Sequence, residues 1–469
     1  MSSDETRVEH DSMGEVNVPA DALWGASTQR AVHNFSISGQ PVSSEIIHAL
    51  AVIKSAAADC NAELGIIDRS IAYAIITAAD AVASGHHDDQ FPVDRFQTGS
   101  GTSTNMNVNE VVAHLASDAS GVDVHPNDHV NASQSSNDTF PTAIHLAVAL
   151  LLRDALVPNL QGLEDALLVR SREWADVVKP GRTHLMDAAP VTLGQEFDGF
   201  AGQVRGGISR VESAVPRLLE VPLGGTAVGT GLNAPAGFAE QTLAGVTQRT
   251  AIALTAPRSQ MAAQSARDAL VEVSSVLRGI ALSLVKICND LRWMGSGPHT
   301  GLAEITLPAV QPGSSIMPGK VNPVVPEAVI QACMHVVGLD AAVAFGATTS
   351  AFQLNTAMPL IGCNVVDSAR LIAGSAEALL HLVPGITTDP ARLRMSAESS
   401  PAIATSLNLL VGYDAAASVV KDAAARGVTI REAAQSLIDA GRVTADELDT
   451  ALDVDRLARP HQERRVDPH

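Results

Sequence analysis

Leu270, Val273, Leu277, Ile280, Leu284, Ile287 and Leu291 recur at spacings of three and four, which lines all of them along one helical seam. The pattern predicts a helix over 265–294, which at about 1.5 Å per residue is roughly 45 Å long. That is the length of a bundle rod, not of a helix flanking a sheet. A second helix is expected from Ser44, capped by Ser43 or Ser44, with Ile46, Leu50 and Ile53 on its apolar face. Further helices are expected over 68–83, ending at Ser84-Gly85, over 142–169 with an interruption near Pro158, over 326–345 and over 363–382, where Pro384-Gly385 follows. The last part of the chain changes character, with shorter, more charged helices over 403–426, 429–440 and 444–451 and then a charged tail. Residues 1–42, punctuated by Pro19, Gly25, Gly39 and Pro41, read as an irregular arm. The fold class is mostly α, divided into an N-terminal domain over 1–134, a central helical-bundle domain over 135–390 and a small C-terminal domain over 391–469.

Composition supports closely packed helices, since 46% of the 469 residues are hydrophobic but only 3% are aromatic, leaving Ala, Val, Leu and Ile to fill the interior. The formal net charge is -20, from 51 acidic and 31 basic side chains, with no run of Lys or Arg. Nucleic acid and anionic membrane are poor partners for such a chain. An anionic substrate would have to be held by a local constellation working against the overall field. Cys60, Cys288, Cys333 and Cys363 are far apart and form no Cys-x-x-Cys pair, so neither a disulfide framework nor a zinc site is expected. The start of the chain, 1–12, is acidic and lacks the apolar core of a signal peptide; no later segment reads as a charge-free apolar run long enough to span a bilayer. The expectation is a soluble protein of the reducing cytoplasm.

Against this helical background a few loops concentrate polar chemistry. The stretch Pro312-Gly313-Ser314-Ser315-Ile316-Met317-Pro318-Gly319-Lys320-Val321-Asn322-Pro323 has too many prolines and glycines for a helix or a central strand. It presents two hydroxyls, an ammonium and a carboxamide, the inventory needed to hold a small carboxylate while negative charge builds on it. Glu327, just after it, suits the first turn of the next helix, and its closeness to the loop leaves a second role open. The segment 97–110 crowds hydroxyls, glycines and asparagines ahead of a helix reaching about Ala116, more donors than capping alone requires. Val124-His125-Pro126-Asn127-Asp128 and Asn131-Ala132-Ser133-Gln134-Ser135-Ser136-Asn137-Asp138 repeat the style. In Pro180-Gly181-Arg182-Thr183-His184, a histidine beside a hydroxyl is a candidate for proton transfer near neutral pH. Gly224 to Gly231 lacks the Gly-Lys-Ser/Thr ending of a phosphate loop and reads as a turn between two long helices, and His86-His87-Asp88-Asp89 reads as a solvated loop, not a metal cluster.

Gly313-Ser314-Ser315-x-Met317-Pro318-x-Lys320-x-Asn322-Pro323 closely resembles the signature of the fumarase/aspartase superfamily. The resemblance to class II fumarases covers nearly the whole chain. It includes Glu9-His10-Asp11-Ser12-Met13-Gly14, Thr98-Gly99-Ser100-Gly101-Thr102, Ser135-Ser136-Asn137-Asp138, Gly181-Arg182-Thr183-His184 and Gly412-Tyr413-Asp414. It implies a homotetramer with a long helical-bundle core, smaller terminal domains and active sites each assembled from loops of three chains. The implied activity is fumarate hydratase, the reversible hydration of fumarate to L-malate in the tricarboxylic acid cycle, with no metal and no organic cofactor. By the same resemblance Ser314 is the base, His184 handles the water and Glu327 orients His184. Ser100, Gly101, Thr102, Ser135, Ser136, Asn137, Thr183, Ser315, Lys320, Val321 and Asn322 form the substrate clamp, and His125, Pro126, Asn127 and Asp128 match a second, peripheral carboxylate site.

Ser103 and Met186 depart from the family pattern, standing where many relatives carry glutamine beside the clamp. Aspartate ammonia-lyase is the nearest alternative; it typically has glutamine at the position of His184 and alanine at that of Gly319, and both residues here follow the fumarase pattern. Argininosuccinate and adenylosuccinate lyases fit less well in their flanking loops. A non-catalytic helical scaffold is the alternative of another class, and Ser314, His184, Lys320 and Asn322 weigh against it.

Overall fold

The computed structural model describes residues 5–459. Its first surprise is in the arm, which is ordered where the sequence read as irregular. Strands β1 (Thr6–Asp11) and β2 (Gly14–Pro19) form an antiparallel hairpin, followed by helix α1 (Ala26–Asn34). Charge does what apolar periodicity could not. Arg7 donates to the carbonyls of Pro19, Ala20, Ala22 and Trp24, and Arg30 pairs two nitrogens with the Asp11 carboxylate. The Glu110 carboxylate accepts the backbone N–H groups of Gly25, Ser27 and Thr28, so α1 is held by a buried acid from another helix.

The helices then follow the apolar pattern closely: α2 (Ser44–Glu63), α3 (Arg69–Ala83), α4 (Thr102–Ser120) and α5 (Ser136–Leu151). Ser43 sits at the cap position of α2 but makes no capping hydrogen bond, which corrects the role expected for it. After α5 a single π-type turn, Leu152–Leu156, leads into α6 (Val157–Glu173). The break precedes Pro158 because proline has no N–H to offer the carbonyl four residues back.

Strands β3 (Val178–Thr183) and β4 (Met186–Thr192) come next, then α7 (Leu193–Leu218), α8 (Phe238–Thr250) and α9 (Gln260–Ser265). The seam helix, α10 (Asp268–Met294), starts later than expected because Ala266 is extended after α9, and its seven seam residues are all 2% exposed or less. Helices α11 (Val324–Ala347) and α12 (Met358–Leu382) both begin earlier than expected, since Pro326 and Pro359 lie in first turns, where proline is tolerated. In the C-terminal part Gly412, at φ 80°, splits the helix expected over 403–426 into a 3-10 segment, a short turn of helix and Tyr413–Arg426. Thr429 with Glu432 and Thr444 with Glu447 form the capping boxes of the next two helices. The charged tail beyond residue 459 lies outside the described residues.

The chain divides into two compact units. The first comprises Met1–Asn159, Gly207–Leu282 and Gln331–Ser375; the second comprises Leu160–Gly206, Ser283–Ile330 and Ala376–His469. Within the second, Leu407, Val419, Ile430, Leu437, Leu448 and Leu452 build a local core that also takes in Val178 of β3. Two helical stretches, Ser136–Glu173 and Val324–Ala347, are long and apolar enough to cross a bilayer, but neither is charge-free: Arg153 and Asp154 interrupt the first and Asp340 the second. In the first, 67% of the apolar window is buried inside the fold. In the second only 33% is buried, and Asp340, on the covered side, receives Ser274 and Arg278.

Candidate active site

In the first unit, backbone constraint fixes the hydroxyl-rich loop. Gly101 has φ 72° and any Cβ there would overlap the Phe140 ring; a Cβ at Gly99 would collide with the Thr356 carbonyl. The Gly99 carbonyl in turn accepts the Met358 N–H at 2.9 Å. Ser100 and Thr102 are thereby set side by side at the start of α4, with their hydroxyl oxygens 2.7 Å apart. Ser103 bonds Thr98 at 3.0 Å, and Gln97 accepts both the N–H and the hydroxyl of Thr104.

The start of α5 is built with equal care. Ser135 caps the helix by accepting the Asn137 N–H, and Asp138 accepts the Ser135 N–H at 3.0 Å. Asp138 is fully buried and also accepts N–H groups from Gly224 and Thr226, both at 2.9 Å. Burial pushes its carboxyl pKa up and those donors pull it back. Asn137 donates to the Ala227 carbonyl at 2.8 Å, so the glycine-rich segment read as a plain turn also holds the start of α5.

Lys54 was not anticipated from the sequence. It is 0% exposed on α2 and donates to Asn131 Oδ1 at 2.9 Å and Gln134 Oε1 at 3.0 Å. Asn105 joins the same group, bonding Asn131 and Ser136. Burial lowers the Lys54 pKa to about 7, with Asp138 opposing the shift. The available signal was a lone lysine inside the apolar run Ala49 to Ala58.

His125 and Pro126 line a cavity of about 360 Å³ with Arg7, His10 and Glu110, while Asn127 and Asp128 lie exposed on the same turn. The His125 ring accepts the Asp128 N–H at 3.1 Å. His86 to Asp89 form a surface turn in which His86 bonds Ser84 and Asp88 bonds His48; among the described residues no three His, Cys, Asp or Glu side chains gather as a metal-holding group.

In the second unit, Thr183 and His184 are at the tip of the β3–β4 hairpin, not in an open loop. His184 and Leu185 form a two-residue turn with φ 57° and 60°. Such a turn favours Asn-Gly, so its sequence here gave no hairpin signal. Two left-handed non-glycine residues are a strained arrangement of the kind found at functional sites. Both Thr183 and His184 are exposed, and the imidazole makes no hydrogen bond among the described residues. The hairpin base is held by ions: Lys179, 2% exposed, meets Glu196 at 2.7 Å and Glu304 at 2.8 Å, and Arg182 meets Glu304 at 2.6 Å. Burial raises the Glu196 pKa against the pull of Lys179. Glu304 stands next to the short strand Ile305–Thr306, so the same network anchors the segment that runs on into the Pro312 to Pro323 loop.

That loop closes on itself. Gly313 N–H donates to the Lys320 carbonyl at 3.0 Å, and the Asn322 side chain donates to the Gly313 carbonyl at 2.7 Å. Gly319 turns the chain at φ 81°. The Ser314 hydroxyl oxygen accepts two backbone N–H groups, Ile316 at 3.2 Å and Met317 at 3.0 Å. Ser315, Lys320 and Val321 are exposed, and the Lys320 ammonium has no ion pair among the described residues. Glu327 is half-buried in the first turn of α11, its N–H bonded to the Pro323 carbonyl. Of these residues, Ser100 to Asn137 belong to the first unit, and Thr183-His184 and Ser314 to Asn322 to the second.

Comparison with known proteins agrees on one family. The model of the family described as "Lyase" matches residues 14–338, and that of "Fumarase C C-terminus" matches 403–459. A curated "Fumarate hydratase class II" from Corynebacterium glutamicum is 53% identical over 99% of this chain and 98% of its own length. One from Nitrosomonas europaea is 48% identical, over 97% of this chain and 99% of its own. Among solved structures, a class II fumarase from Schistosoma mansoni superposes with a TM-score of 0.94 at 35% identity, covering 97% of this chain and all of that one.

Proposed function

Because the chain belongs to the class II fumarate hydratase family of lyases, we propose that it interconverts fumarate and L-malate with Ser314 and His184 as its proton-handling residues. The observation that carries the assignment of Ser314 is the pair of backbone N–H groups aimed at its hydroxyl oxygen. A serine hydroxyl is a poor base until its anion is stabilised, and two oriented N–H groups supply that stabilisation without a further charged partner.

In the dehydration direction the Ser314 alkoxide removes a proton from malate C3, and the electron pair enters the neighbouring carboxylate, giving a doubly charged aci form. The C2–O bond then breaks, protonated His184 delivers its proton to the departing hydroxyl, and water and fumarate result. Ser314 is left neutral and His184 deprotonated; exchange with solvent restores both. Lys320 and Asn322 face the charge that builds on the carboxylate, and Ser100, Thr102, Ser135, Ser136, Asn137, Thr183 and Ser315 hold the two carboxylates in place. Glu327 orients and charges the His184 imidazole.

We further propose a cytoplasmic homotetramer in which each site draws Ser100 to Asn137, Thr183-His184 and Ser314 to Asn322 from three chains, on a 1–134, 135–390, 391–469 domain plan. The long helix α11 supports assembly: Met334 is 63% exposed and Phe345 79%, with Val337 between them on the same side. A largely apolar helix left uncovered on one face calls for a neighbouring chain.

Loss or gain of fumarate absorbance tests the activity. Purified protein is expected to hydrate fumarate and dehydrate L-malate with EDTA present and no cofactor added; activity on aspartate alone, or on neither acid, overturns the reading. Lys54 gives a second test. With its pKa lowered from 10.5 to about 7, the buried ammonium destabilises the fold below pH 7, and the penalty fades as pH rises from about 7 towards 10.5. Lys54→Met removes that penalty but deprives Asn131 and Gln134 of a donor. The expected result is a Tm at pH 6 no lower than wild type together with a roughly tenfold loss in kcat/KM, as for one or two hydrogen bonds to a charged group. Equal losses in Tm and activity would make Lys54 a simple structural residue.

A further inference from the structure

Beside the start of α10 lies a cavity of about 290 Å³ that none of the residues above uses. Arg267, the residue before α10, lines it and is 2% exposed. Its Nη2 donates to the carbonyls of Ala263 and Gln264, but Nε and Nη1 have no hydrogen-bond partner, and no carboxylate pairs with it among the described residues. Burial is severe enough to bring its pKa down to about 10. A buried guanidinium keeps its charge, and an uncompensated buried charge is costly unless an anion meets it.

The surroundings point to the same class of ligand. Asp268 and Ala269, the first residues of α10, also line the cavity; their N–H groups have no partner within the helix, whereas those of Leu270 and Val271 bond the Arg267 carbonyl. None of the acids nearby forms an ion pair with Arg267, although the charge of Asp268 partly offsets its burial. Glu272 is engaged by two nitrogens of Arg217, Glu220 lies 3.6 Å from Arg258, and Asp268 is exposed. His145, 5% exposed, bonds the Leu218 carbonyl at 2.6 Å; burial first, then Arg267, lowers its pKa to about 4, so its ring is neutral. Arg258 is also part of the lining, and its side chain is 94% exposed.

We propose that this cavity binds a small oxyanion, carried by Arg267 Nε and Nη1 and the N-terminus of α10 and covered by Arg258. The bound anion is also connected to the clamp. Arg267 holds the Gln264 carbonyl, Gln264 Nε2 donates to the Thr226 carbonyl at 2.8 Å, and the Thr226 N–H caps Asp138 at the start of α5.

Thermal unfolding of the full-length protein tests the site, in the Lys320→Ala background so that binding at the proposed active site contributes least. With 20 mM inorganic phosphate (about twentyfold above a millimolar Kd), against sodium chloride of equal ionic strength, Tm is expected to rise by about 2–5 °C. L-malate is the second arm: a rise with phosphate alone identifies a phosphate site, and a rise with both a general oxyanion site. Adding Arg267→Met should abolish the rise while leaving Tm in chloride no lower, because it removes a buried charge. Adding Arg258→Ala instead, on an exposed side chain, should shift the half-maximal phosphate concentration severalfold upward, and it decides the matter if the Arg267→Met protein does not fold. No rise with either anion, a rise undiminished by Arg267→Met, or an unchanged midpoint in Arg258→Ala overturns the proposal.

Discussion

Lys320→Ala is expected to lower kcat/KM for both fumarate and malate by about 30- to 1,000-fold, the usual cost of about 2–4 kcal/mol for deleting a charged donor aimed at transition-state charge. The ammonium stands exposed on a loop whose backbone is closed by the Gly313–Lys320 and Gly313–Asn322 hydrogen bonds. Those bonds use the Lys320 carbonyl, not its side chain, so the substitution leaves the loop's frame intact and Tm should barely move. Lys320→Arg should recover only part of the activity, because a planar fork does not place its charge where a compact ammonium does. Kinetics within threefold of wild type for Lys320→Ala would show that the side chain merely faces solvent.

How far the sequence leads can be judged at Lys320 and at His184. The Ser314 to Asn322 loop was legible as a loop because its cause is local: prolines and glycines within one short stretch exclude regular structure. Long helices were legible too, since α10 carries a seam that any packing partner would bury. The hairpin bearing His184 was not, because its turn residues are a histidine and a leucine at positive φ, and the carboxylate that pairs with Lys179 and Arg182 at its base, Glu304, is distant in sequence. Strands β1 and β2 were missed for the same reason, their fixing side chains Arg7 and Arg30 bonding across the arm. Lys54 went unnoticed, and Asp138 was noticed only as part of a polar loop, because the partners of both come together only in the fold.

Pure Ser314→Ala and His184→Asn proteins should each fall by about 10²- to 10⁴-fold in kcat, the range for losing a general acid or base. Neither change should unfold the chain, because Ser314 accepts hydrogen bonds only from its own loop and His184 is exposed and unbonded among the described residues. The more informative experiment mixes them. If a working site draws Ser314 from one chain and His184 from another, it is intact only when the first comes from a His184→Asn subunit and the second from a Ser314→Ala subunit. In a symmetric oligomer with equal, random mixing, each condition holds for about one half of sites, and both hold for about one quarter. Co-expression of the two inactive variants should therefore restore roughly a quarter of wild-type activity, with mixed oligomers confirmed by native mass spectrometry. A mixture as inactive as its parents would place both residues in one chain's site, or remove one of them from the chemistry.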